Sequence, residues 1–214
     1  MPRLHHEQIF RGKEVMQKIA SASLHICGAG ALGSNLAVHL SRMGFKQITI
    51  IDRDRVEERN LGTQIYALDD VGAQKATLVR NVIYREVGED TVAISEELND
   101  RTVAKFLKNA RLVVDTFDNT ASRQLIYDYC KQKNIACLHA GVNEGFGEIR
   151  WNEHYSVPSD TGIDVCDYPL SRSLVLLVVT IAAEALVQFV VDGQKPNYSV
   201  TVGDLRINHE VDLS

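Results

Sequence analysis

The sequence is short of three things, and each shortage excludes a class of protein. Cysteine is scarce: four among 214 residues, Cys27, Cys130, Cys137 and Cys166, with no C-x-x-C spacing. That is neither a disulfide framework nor the paired thiolate set of a structural zinc site, so no zinc and a reducing, cytoplasmic compartment are expected. Positive charge is in deficit, with 23 Lys and Arg against 28 Asp and Glu, a formal net charge of −5 and a pI near 5.8. Nucleic acid is therefore not the expected partner. Long apolar runs are missing except for one, Ser173 to Val191, where Thr180, Glu184 and Gln188 recur every fourth position. One polar stripe of that kind suits a helix buried in a core or a subunit interface, not one that spans a membrane. The N-terminus is polar and charged as far as Ser23, with no signal-peptide pattern, and neither an internal repeat nor a low-complexity tract occurs.

What is present is an ordinary globular composition, 45% hydrophobic and 24% charged, in a chain long enough for one sizeable α/β domain. The organising stretch runs from Leu24 to Asn60. A short apolar strand, Leu24 to Cys27, leads into Gly28-Ala29-Gly30-Ala31-Leu32-Gly33, and Ser34 to Met43 carries apolar residues at helical spacing up to Gly44. A second strand, Gln47 to Ile51, ends on Asp52. This is a βαβ nucleotide-binding pattern. Gly28 permits the tight turn, Gly30 lets phosphate approach the backbone, Gly33 lets helix and strand pack closely, and Asp52 can accept ribose hydroxyls. The helix N-terminus offers free N–H groups to an anion.

Met1 to Ala22 reads as a helical N-terminal segment with Ile9, Phe10, Val15, Met16 and Ile19 on an apolar stripe, preceding a single domain over 23–214. Arg53 to Asp70 is too polar for a regular element, and Val71 to Val87 has a helical pattern in which Lys75 stands near the start. Strands are expected at Thr91 to Ser95, Leu112 to Asp115, Ile135 to Ala140 and Gly145 to Trp151, and short helices at Asp100 to Asn109 and Ala121 to Lys133. Asn152 to Pro169 reads as an exposed loop, and Tyr198 to Asn208 as one or two edge strands. The fold class expected is α/β, a Rossmann-like three-layer fold whose mostly parallel sheet continues into antiparallel edge strands. In such sheets ligands bind beyond the carboxyl ends of the strands, which gathers Gly28 to Gly33, Asp52 and Asp115 to Asn119 around one crevice.

Behind the glycine turn, Asp52, Asp54, Asn60, Gln64, Lys75 and Asp118 concentrate carboxylates, amides and a cation beyond what hydride transfer needs. The combined pattern, G-x-G-x-x-G, D-x-D-x-V-x-x-x-N-L-x-x-Q, G-x-x-K and a strand ending T-x-D-N, resembles the ThiF/MoeB/HesA family, the adenylating fold of ubiquitin-activating enzymes, over roughly Gln8 to Gly193. The resemblance implies ATP and Mg²⁺ as cofactors. It implies that the glycine loop and Asp52 hold adenosine, that Asp54, Asn60 and Gln64 stand at the phosphates, that Lys75 stabilises developing charge and that Asp118 positions Mg²⁺. The implied reaction is adenylation of a carboxylate, typically the C-terminal glycine of a ubiquitin-like or sulfur-carrier protein or a peptide, by a homodimer joined through the apolar helix.

Two features depart from that pattern. Thr63 stands where the family carries a phosphate-clamping arginine, and Glu7 stands where its N-terminal arginine reaches into a partner subunit; Arg3, Arg11, Arg53, Arg55 and Arg59 are the candidates to replace them. Cys166, in the loop before the apolar helix, is a candidate to receive the acyl group or sulfur, or else an incidental loop cysteine. Asp118 has the alternative role of a helix N-cap, Arg123 is as well placed for the surface as for phosphate, and His25, His39 and His139 read as structural. Three rivals stand beside adenylation of a protein or peptide: a catalytically weakened partner subunit, a nicotinamide-dependent oxidoreductase, and an enzyme that adenylates a small-molecule or RNA-linked carboxylate.

Overall fold

The computed structural model describes residues 2–159 and 169–210. Eight strands, β1 (Ser23–Cys27), β2 (Gln47–Ile51), β3 (Val92–Ile94), β4 (Leu112–Asp115), β5 (Ala136–Asn143), β6 (Phe146–Trp151), β7 (Asn197–Thr201) and β8 (Arg206–Glu210), form one sheet. Its order is β3-β2-β1-β4-β5-β6-β7-β8; β1 to β5 run parallel, and β6, β7 and β8 add on antiparallel. The parallel strands are apolar runs because helices cover both of their faces. Leu24 and Ile26 of β1 enter the larger core, and Cys27 enters the smaller one on the opposite face.

Helix α2 (Ala31–Met43) follows β1 and ends on Gly44 in the left-handed region, φ 108°. It packs against α6 (Arg172–Asp192), whose Leu174, Val178 and Leu186 are fully buried in the larger core. Helix α6 is long and apolar enough to cross a membrane by length and composition, but 56% of that apolar window is buried inside the protein and Glu184 of its polar stripe pairs with another helix. The Arg11 guanidinium of α1 (His5–Ser21) contacts Glu184 at 2.5 Å, and Lys18 Nζ donates to the Val191 carbonyl at 2.9 Å.

Four sequence-based boundaries need correction. Helix α1 is broken at Gly12 (φ 82°, ψ 163°), which divides the expected stripe: Ile19 is buried, whereas Ile9 and Phe10 are 70% and 81% exposed. Helix α3 (Lys75–Val87) starts at Lys75 and not at Val71, because Gly72 (φ 88°) turns the chain and its N–H donates to Val56. Helix α4 is confined to Val103–Phe106, while α5 (Thr120–Lys133) starts close to where its pattern begins. The expected loop after β6 begins instead with a short 3-10 helix, Asn152–His154, and then buries Tyr155, which its neighbours below explain.

Candidate active site

The parallel strands β1, β2 and β4 end side by side, and their ends are stitched together beyond the sheet. The Gly28 N–H donates to Ile51, the Asp52 N–H to Ile94 and the Thr116 N–H to Cys27, all within 2.9–3.0 Å. Gly28 takes φ 102°, and a Cβ there would sit 2.8 Å from Thr116 Oγ1. A Cβ on Gly33 would lie 2.0 Å from the Gly28 carbonyl oxygen, so α2 approaches the loop as closely as a missing side chain allows. Around Gly30 nothing lies within 4 Å of an added Cβ, which leaves that side of the loop open to a ligand.

Asp52 is buried, yet both of its oxygens face backbone donors: Oδ2 accepts from Ala29 N–H at 2.6 Å and Oδ1 from Asp54 N–H at 2.7 Å. Burial raises its pKa above the usual carboxylate value, against the pull of those hydrogen bonds and of Lys75. Each carboxylate oxygen keeps acceptor capacity for a further donor such as a sugar hydroxyl. The Lys75 side chain is nearly buried at the start of α3, with Nζ 3.8 Å from Asp54 Oδ2 and its own N–H bonded to the Asp54 carbonyl at 2.9 Å. The residue that caps α5 is Asn119, whose Oδ1 accepts from Ser122 N–H at 2.9 Å. Asp118 is thereby left exposed, its carboxylate free of the capping role.

These groups meet in a cavity of about 1080 Å³ at the carboxyl ends of the strands, lined by Gly28, Gly30, Asp52, Asp54, Lys75 and Asp118 among others. Its lining carries seven carboxylates (Asp52, Asp54, Glu96, Glu97, Asp100, Asp118, Asp128) against three cations (Arg53, Lys75, Lys133), so a polyanion needs further positive charge to bind there. Gly33 lies behind the loop. Asn60 and Gln64 do not line the cavity: the Asn60 side chain caps a 3-10 turn by accepting from Glu57 N–H, and the segment is tied to the first turn of α2, where Asn35 Nδ2 donates to the carbonyls of Thr63 and Ala31. Cys166 lies outside the described residues.

Of the five candidate arginines, only Arg53 lines the cavity, paired there with Glu97 and Asp54. Arg11 is held between Glu7 and Glu184, Arg55 donates to the Gly72 carbonyl, Arg59 to Glu57, and Arg3 to Glu89 and the Val87 carbonyl. Arg123 is neither on the surface nor in the cavity. It is buried behind the wall, where it donates to Tyr155 Oη and the Ala140 carbonyl at 2.9 Å each and lies 3.7 Å from Asp115. Asp115 is fully buried. Burial alone would raise its pKa, but the Arg123 charge and the His139 hydrogen bond at 2.8 Å hold it below the usual carboxylate value. His139 stacks on Tyr155 at 3.7 Å.

One site residue escaped sequence reading, and a second was read only as part of a motif. Tyr66 donates its hydroxyl to the Ala29 carbonyl at 2.7 Å, and Thr116 Oγ1 bonds the Cys27 carbonyl at 3.0 Å. The threonine is the first letter of the T-x-D-N motif, which gave its place but not its bond to the loop; Tyr66 sits in an irregular segment with no periodic signal.

A parallel sheet with a glycine loop at the switch between β1 and β4, an acid after β2 and a lysine and an acid across the crevice is the architecture of the nucleotide-binding class of α/β folds. The chain belongs to the ThiF family, whose model matches residues 4–200. It is 32% identical over 68% of its length to the adenylyltransferase and sulfurtransferase MOCS3 of Caenorhabditis briggsae, covering 35% of that protein. It is 30% identical over 76% of its length to the sulfur carrier protein adenylyltransferase of Thermus thermophilus, covering 61% of it. The chain thus spans between about a third and three fifths of these relatives. The fold matches that of E. coli MccB crystallised with ATP, at a TM-score of 0.77 and 20% identity, over 92% of this chain and 64% of that one.

Proposed function

We propose that the chain uses Mg²⁺ and ATP to adenylate a carboxylate, the C-terminal glycine of a ubiquitin-like or sulfur-carrier protein or the end of a peptide. The observation that carries this reading is the single cavity in which the glycine loop, Asp52, Lys75 and Asp118 converge. Relatives named as sulfur-carrier adenylyltransferases support it. In the proposed reaction the acyl carboxylate attacks the α-phosphorus and pyrophosphate leaves, so the protein's work is positioning and charge neutralisation. Asp52 receives the ribose, the loop N–H groups and the N-terminus of α2 meet the phosphates, and Lys75 neutralises charge as it develops. Asn60 and Gln64, which the resemblance assigns to the phosphates, stand outside the cavity lining and carry no step here.

The donor set fits Mg²⁺, which takes one or two carboxylates, substrate phosphates and water in place of an all-protein cage. Asp118 is an exposed hard oxygen donor on the cavity wall, and among the described residues no group of three or more His, Cys, Asp or Glu could hold a metal by itself. When bound, the ion supplies the positive charge that the carboxylate-rich lining lacks.

We also propose a homodimer. Leu176 of α6 is exposed and lines a small groove of about 180 Å³ with Val38, Ile65 and Val179, and Ile9 and Phe10 of α1 add exposed apolar surface. A second reading, a partner subunit of weak activity, is favoured by the engagement of Arg11 with Glu7 and Glu184, which leaves Arg53 as the cavity's arginine. Pyrophosphate exchange into ATP, assayed with carrier proteins and peptides ending in glycine, separates the two. Exchange that depends on one acyl substrate and on Lys75 supports the enzyme; none with any substrate, alongside retained ATP binding, supports the partner subunit.

A further inference from the structure

Ala29, between the first two glycines of the loop, is held at both of its peptide groups. Its N–H donates to Asp52 and its carbonyl accepts from the Tyr66 hydroxyl, while Thr116 Oγ1 contacts the preceding Gly28 carbonyl at 3.3 Å. The two grips come from different segments: Asp52 follows β2, and Tyr66, 5% exposed, packs into the larger core from an irregular segment. A planar trans peptide points its C=O and its N–H in opposite directions. Fixing the Ala29 carbonyl on Tyr66 therefore turns the Gly30 N–H away from the core. Gly30 lines the cavity, has open space where a Cβ would be, and is the N-cap of α2. Without a side chain, Gly30 resists rotation of this peptide only weakly, so an external grip is what sets its direction.

We infer that Tyr66 is a positioning residue for the phosphate-binding loop: through the Ala29 carbonyl its hydroxyl orients the Gly30 N–H toward the phosphates of the nucleotide. This rests on the nucleotide site proposed above and adds a residue that no motif marks. The ring fills core space and the hydroxyl aims the peptide, and the two roles can be separated by removing one oxygen.

The test is Tyr66→Phe in the full chain, with calorimetric titration of ATP, ADP and adenosine in Mg²⁺ buffer, a melting curve, and the amide resonance of Gly30 in glycine-labelled protein. The expected result is ATP and ADP binding weaker by about five- to tenfold, the equivalent of one hydrogen bond, adenosine affinity within twofold of wild type, and a displaced or broadened Gly30 resonance. Unchanged ATP affinity overturns the inference and leaves the nucleotide site standing. Equal losses for ATP and adenosine with a lowered melting temperature overturn it too, because Tyr66 is then a packing residue. A wild-type chain that binds neither ATP nor adenosine overturns the inference together with the nucleotide reading.

Discussion

Replacing Gly33 and Gly30 separately by alanine tests how the loop divides packing from ligand binding. At Gly33 the added Cβ would lie 2.0 Å from the Gly28 carbonyl oxygen, 2.6 Å from Thr116 Oγ1 and 2.9 Å from the Gly28 carbonyl carbon. Two of those three atoms are backbone and cannot rotate aside, so α2 and the loop must separate by about 1 Å, a forced repacking that typically costs about 1–3 kcal/mol. Alanine returns about 1 kcal/mol of helix propensity inside α2. The overlap is more severe than an added methylene in a flexible core, so the clash wins and the net loss is about 2 kcal/mol in urea unfolding. Gly30→Ala meets no atom within 4 Å and has an ordinary φ of −77°, so its stability stays within about 0.5 kcal/mol of wild type. There the methyl occupies space left for phosphate, and ATP affinity falls. A Gly33→Ala protein as stable as wild type, or a Gly30→Ala protein with full ATP affinity, would refute this division.

Two other predictions concern the wall and the outer face. Arg123→Met leaves Asp115 buried without its cation and costs about 3–5 kcal/mol at pH 7. In wild type the Asp115 carboxyl is held below its ordinary value, so the stability it contributes is complete above about pH 4 and is lost as pH falls through the lowered value. In the variant that carboxyl titrates higher, so the native form gains protons first and the penalty shrinks between pH 7 and pH 4.5; a penalty constant across that range in urea melts would contradict the pairing. On the outer face, Phe10→Glu puts a charge on surface that the homodimer would cover, and sedimentation velocity is expected to show monomer where wild type shows dimer. A monomeric wild-type protein would contradict the dimer.

Much of the fold was legible because its signals are local. Apolar runs ended by glycines or carboxylates marked β1, β2 and β4, and G-x-G-x-x-G fixed the loop between β1 and α2. Asp52 and Asp118 could be brought together because they follow strands whose carboxyl ends share one crevice, whereas Lys75, at the start of α3, was placed there only by the family resemblance. Contacts between distant segments left no such trace. Arg123 stands one turn after Asp118, yet its environment is set by Asp115, Tyr155 and the Ala140 carbonyl from three other elements. Tyr66 holds Ala29 across the fold, and nothing in the spacing around either residue signals it. The N-terminal stripe is divided for a local reason: Gly12 breaks the helical period midway, so Ile9 and Phe10 turn outward while Ile19 stays in the core.

Whether this cavity is an ATP site suited to adenylation is decided by calorimetric titration with ATP and Mg²⁺, run beside NAD and an Asp118→Ala control. Saturable ATP binding that weakens sharply in the control, with no comparable binding of NAD, is the expected result. NAD bound in preference to ATP, or ATP bound equally well by Asp118→Ala, would contradict it.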